Sequence, residues 1–153
     1  MSAATELLPY VDEHSLVVEA GRERTWEALL HVAEGSVSSG AAPLFARIVG
    51  CADTAAAGPR PLVEGSALPG FHVAVAEAPS ELALAGSHRF SDYALTFRLD
   101  ELDDGRTRVR AETRAAFPHL KGAVYRGLVI DTRLHVLATR RILAGVKRNA
   151  ERS

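Results

Sequence analysis

The stretch from Ser91 to Ala115, SDYALTFRLDELDDGRTRVRAETRA, constrains the fold more than any other. Tyr93, Leu95, Phe97 and Leu99 alternate with polar or small residues. After a break, Thr107, Val109, Ala111, Thr113 and Ala115 alternate with Arg106, Arg108, Arg110, Glu112 and Arg114. A period of two belongs to a strand with one buried face. The break is Asp103, Asp104 and Gly105, residue types that tolerate positive φ in a tight turn. The two arms therefore predict an antiparallel hairpin. Its charged side is expected to meet solvent, and the small residues opposite leave room on the inside.

Other segments continue the pattern. FHVAVAEA and ELALAGSHRF predict two further strands, with Pro79 and Ser80 turning the chain between them. Upstream, Tyr10 to Glu19 predicts a strand with His14, Leu16 and Val18 on one face, and Gly21 breaks it. RERTWEALLHVAE then places Trp26, Leu29, Leu30 and Ala33 at helical spacing. A second short helix is predicted from Pro43 to Gly50, followed by a loop stopped by Gly58, Pro59 and Pro61. From Lys121 to about Asn149 the pattern is helical again. The predicted class is α+β: a curved antiparallel β-sheet wrapped on a long C-terminal α-helix, within one domain spanning 1–153.

Charge and cysteine content narrow the function. Eighteen basic and nineteen acidic residues nearly cancel, so no broad field points to nucleic acid or an anionic membrane. The single cysteine, Cys51, cannot form an internal disulfide, which fits a reducing compartment. The N-terminus shows no basic start with an apolar run behind it, and no apolar stretch is long enough to span a bilayer. A cytoplasmic protein without membrane insertion is expected, as a monomer or homodimer.

The C-terminal helix carries the most informative polar residues. With Val124 at zero and about 100° per residue, its apolar stripe centres near ~340°. Leu128, Leu134, Ala138 and Ile142 are then expected inside, and Arg126, Arg133 and Arg140 outside. Asp131 falls at the stripe centre and His135 near ~20°, one turn apart and on the face expected to grip the sheet. A buried carboxylate must pair, accept hydrogen bonds or take up a proton. An imidazole held by a carboxylate can pass a proton elsewhere. Asp131 and His135 are therefore candidate catalytic residues. The plainer alternative pairs Asp131 with Arg89, Arg98 or a strand hydroxyl and leaves His135 a satisfied core residue.

In order and length the chain resembles the START-like, or polyketide cyclase/dehydrase-like, superfamily with its helix-grip fold. HSLVVEAGRERTWEALL, the 90–113 hairpin and YRGLVIDTRLHVLATRRILAGVKRNAE carry the likeness. The resemblance implies an antiparallel sheet of about seven strands on the C-terminal helix and a tunnel for an apolar molecule. Some members catalyse cyclisation or dehydration, and many only bind or carry. No position here matches a catalytic motif of the family.

The expected partner is thus a hydrophobic or aromatic small molecule. The candidate ligand-binding residues are His72, His88, Tyr93, Ala111, Thr113, Leu128 and Ala138, with His14 also able to face the cavity. The alternative is a cyclase-like enzyme using Asp131 and His135. Imidazoles and carboxylates in such a cavity suit zinc or iron, but no close-spaced ligand pair is present and Cys51 lies in a loop. Neither a metal nor another cofactor is expected. His31 and His119 are expected at the surface.

Overall fold

The computed structural model describes residues 7–38, 62–68, 71–88, 91–116 and 134–152. Strand β1 (Tyr10–Val18) leads into helix α1 (Arg22–Ser38). Five strands follow: β2 (Ala67–Leu68), β3 (Phe71–Glu77), β4 (Glu81–His88), β5 (Ser91–Glu101) and β6 (Thr107–Ala116). Helix α2 (Leu134–Glu151) closes the order. The predicted helix at 43–50, the loop after it and Cys51 lie outside the described residues, as do His119 and the predicted N-terminal part of α2.

The six strands form one antiparallel sheet in the order β1-β6-β5-β4-β3-β2. The predicted hairpin supplies two of its interior strands, β5 and β6. Leu102 and Arg106 close the turn, with the Leu102 N–H donating to the Arg106 carbonyl over 2.9 Å. Gly105 takes φ 81°, which a side chain would resist. Asp104 Oδ1 accepts the Arg106 N–H at 3.2 Å.

One sheet face forms the core. Val18, Val109, Phe97, Leu82, Leu84 and Val73 pack with Trp26, Leu29, Leu30 and Ala33 of α1, the four residues that helical spacing selects. Gly21 starts α1: its carbonyl accepts both the N–H and the hydroxyl of Thr25, which satisfies that buried side chain. The arrangement is α+β, with both helices against one face of the sheet and α2 in the helix-grip position.

The phase of α2 departs from expectation. Its buried positions are Thr139, Leu143, Val146 and Ala150, whereas Ala138 is exposed and Ile142 only half-buried. The buried four lie between about 40° and 100° on the same wheel, roughly 90° from the expected centre. The reason is that α2 has two neighbours. Gly145, on the stripe as expected, meets α1: a Cβ there would stand 3.1 Å from Val32 Cγ1. The sheet takes the adjoining side. Arg140 is exposed as expected; Leu128, Arg126 and Arg133 lie outside the described residues.

The outer face also differs from a simple solvated surface. Arg98 and Arg110 are directly opposed on β5 and β6, a repulsive placement unless each finds a carboxylate. Arg98 Nε donates to Glu81 Oε1 at 3.0 Å, and Arg110 grips Asp100 through two bonds of 2.6 and 3.2 Å. Arg114 Nε donates to Glu112 Oε1 at 2.6 Å and its guanidinium lies over the Tyr10 ring. Ala83, Ala94 and Thr96 are buried beneath these charged side chains.

Candidate functional site

The inner face changes character along its strands. Toward α1 it is closed: Val18, Val109, Phe97 and Leu84 have no more than 1% exposure. Toward the other end Asp12, His14, Thr113, Leu95, Tyr93 and Phe71 are only half-buried. Register places them together. His14 opposes Ala111, Asp12 opposes Thr113, Thr113 opposes Leu95, and Tyr93 opposes Gly86. Gly86 presents no side chain to Tyr93, and Phe71 meets the Tyr93 ring edge-on at 5.2 Å between centroids.

The polar element of this half is a carboxylate and an imidazole on one strand. His14 Nε2 stands 3.2 Å from Asp12 Oδ2. The strand repeat puts i and i+2 on one side, and a register shift between Tyr10 and Asp12 adjusts the strand just before the pair. A carboxylate only accepts, so the contact assigns the proton to Nε2 and leaves Nδ1 of the neutral ring as an acceptor. An imidazole so held can anchor a hydroxyl or move a proton.

The predicted site residues fare unequally. Tyr93 and Thr113 line the half-open region, and Ala111 lies at its boundary, fully buried. His72 is on the opposite face: it pairs with Ala85 and is exposed, because its neighbours Phe71 and Val73 take the inward positions of β3. Ala138 is likewise excluded from the gripping side by the rotation of α2. His88 ends β4 and His135 stands in the first turn of α2, and only their backbone positions are described. Asp131 and Leu128 lie outside the described residues. Asp12 is absent from the sequence-based candidates, although its spacing of two from the inward-facing His14 was the signal that could have found it. Among the described residues no group of three His, Cys, Asp or Glu side chains could hold a metal ion. None of the described helices is long and apolar enough to cross a membrane.

No protein-family model matches this sequence, and no curated protein is a significant match. Solved structures do share the fold. Protein CV1439 from Chromobacterium violaceum is 12% identical, with 95% of this chain and 100% of that one covered at a TM-score of 0.58. The Aha1 dimer from Colwellia psychrerythraea is 16% identical over 92% of this chain and 95% of that one, at 0.56. CalU16 from Micromonospora echinospora, in its solution structure, is 15% identical over 90% of this chain and 65% of that one, at 0.54. At such identities the likeness concerns the fold alone.

Proposed function

We propose that this chain is a START-like, single-domain binder of a hydrophobic or aromatic small molecule, held between the sheet and the C-terminal helix. The observation that carries this is the half-open end of the inner face, with Asp12 and His14 on one side and Phe71 and Tyr93 on the other. The rings supply apolar area and the imidazole orients one polar group of the ligand. Asp131 and His135 belong to the proposal as the polar groups of the helix side. The protein acts in the cytoplasm as a monomer or homodimer. Fluorescence titration with 2-naphthol, a neutral aromatic alcohol, tests it. Saturable binding that weakens about tenfold in His14→Phe, without loss of fold, is expected for one lost hydrogen bond. Unchanged binding in His14→Phe would remove the polar anchor, and no saturation would remove the site.

The contact between His14 and Asp12 also favours a second reading, acid–base chemistry on a polyketide-like substrate, with Asp131 and His135 as a further pair. It predicts that the protein accelerates exchange of the acidic carbon-bound protons of a 1,3-diketone into D2O. His14→Phe, His135→Phe or Asp131→Asn should then slow exchange by about 100-fold or more. Exchange no faster than in buffer excludes this reading and leaves binding standing.

A further inference from the structure

A second concave feature lies away from the sheet, between α1 and α2. It is an open groove of about 400 Å³. Arg141, Arg148 and Arg152 come from α2 and its end, and His31 faces them from α1. Asn149 adds a neutral amide, and among the described residues no carboxylate lines the groove. The glycines explain the shape. Gly145 allows α1 to approach until Val32 is in contact, and Gly35 leaves the opposite wall low.

The arginines here differ from most of those on the sheet, although Arg108 of β6 is likewise exposed and forms no ion pair among the described residues. Arg98, Arg106, Arg110 and Arg114 each meet a carboxylate within 3.5 Å. Among the described residues, neither Arg141, Arg148 nor Arg152 has such a partner. Arg141 and Arg148 are two helical turns apart, about 10.5 Å along one wall. Gathering like charges in one groove is unfavourable unless an anion enters. The C-terminal carbonyls of α2 bring some opposite partial charge, but Arg24 Nη2 donates to the Arg152 carbonyl at 2.8 Å and ties up that end.

We propose that this groove binds a small organic phosphate bearing at least two phosphoryl groups. Guanidinium forks bond oxyanions bidentately, and the terminal oxygens of one phosphoryl group can serve two forks. The groove volume suits a ligand the size of a nucleoside diphosphate. Its described lining residues come from α1, α2 and Arg152 rather than from the sheet, so the two sites can be tested separately.

Calorimetric titration of the full chain with ADP, inorganic pyrophosphate, adenosine and citrate tests the assignment, with backbone amide NMR locating the site. ADP and pyrophosphate should saturate, shifting the Gly35, Gly145 and Asn149 amides, while adenosine should not bind. Arg141→Gln and Arg148→Gln should each weaken ADP by about tenfold, the effect of one lost charge-assisted hydrogen bond. Arg140→Gln, which removes the same charge from an exposed position outside the groove, should leave affinity unchanged. An equal loss in Arg140→Gln, shifts spread over the sheet, or absence of saturation with ADP would overturn the proposal. Citrate binding as tightly as ADP would overturn the phosphate assignment. Melting curves of each variant identify any that fail to fold, and Arg148→Lys then serves as the charge-preserving substitute, expected to bind more weakly than wild type.

Discussion

Lys147 and Glu151 stand one turn apart on α2 with Nζ and Oε2 separated by 2.6 Å, and together they clasp the open edge of β1. Lys147 Nζ donates to the Val17 carbonyl at 3.0 Å, and Glu151 Oε2 accepts the Glu19 N–H at 3.0 Å. They do for an edge strand what a neighbouring strand would do. The Lys147 hydrogen bond, helped by the Glu19 N–H, holds the Glu151 carboxyl below the usual carboxylate range. A folded-state value below the unfolded one means stability present above about pH 4.3 and lost as pH falls through the depressed value. Glu151→Gln should flatten the acid limb of the melting temperature against pH. It should also speed Glu19 amide exchange at neutral pH. An acid limb identical to wild type would show that the clasp does not couple to folding.

The contact between Gly145 and Val32 predicts opposing effects. Gly145→Ala gains about 1 kcal/mol of helix propensity but crowds Val32. Gly145→Val should destabilise by about 1–3 kcal/mol through overpacking. Val32→Ala combined with Gly145→Ala should recover the propensity gain. Urea unfolding of wild type, Gly145→Ala, Val32→Ala and the double variant, read as a mutant cycle, checks this, and additivity would contradict the contact.

Ala111 opposes both His14 and Phe97 and has no exposed surface. Ala111→Phe should therefore cost about 1–3 kcal/mol in stability by overpacking, before any effect on a ligand. Thr113→Val, two residues along in the half-open region, should leave the melting temperature nearly unchanged and alter 2-naphthol binding. Equal melting temperatures for Ala111→Phe and wild type would place open space beside Ala111.

On the outer face, Glu81 is 7% exposed and bonds Arg98. Arg98→Met should cost about 1–3 kcal/mol because a buried carboxylate loses that partner. Glu81→Leu with Arg98→Leu should be closer to neutral, since it removes both charges together. Chemical denaturation of the single and double variants measures the difference.

The order of elements and the strand faces were legible in the sequence. Alternation is a local property of the pleat, so Tyr93, Leu95, Phe97 and Leu99 identify the inner side of β5 without knowledge of its neighbours. The Asp103 to Gly105 turn likewise depends on backbone preference alone. The phase of α2 was not legible, because its stripe had to serve both α1 and the sheet. Apolar periodicity locates an apolar face but not which partner takes which side of it, so Ala138 came out exposed and Thr139 buried. His72 was misplaced because alternation alone does not say which face is inward: Phe71 and Val73 take the core side of β3 and leave His72 outside. Asp12 was within reach of the strand period; its contact with His14 depended on how the folded strand held the two side chains. The arginine-lined groove arises only where Gly145 lets two helices meet, bringing His31 and Arg141, far apart along the chain, to one surface. Local chemistry is written in sequence neighbours, whereas a site joining distant residues exists only once packing has chosen which faces touch.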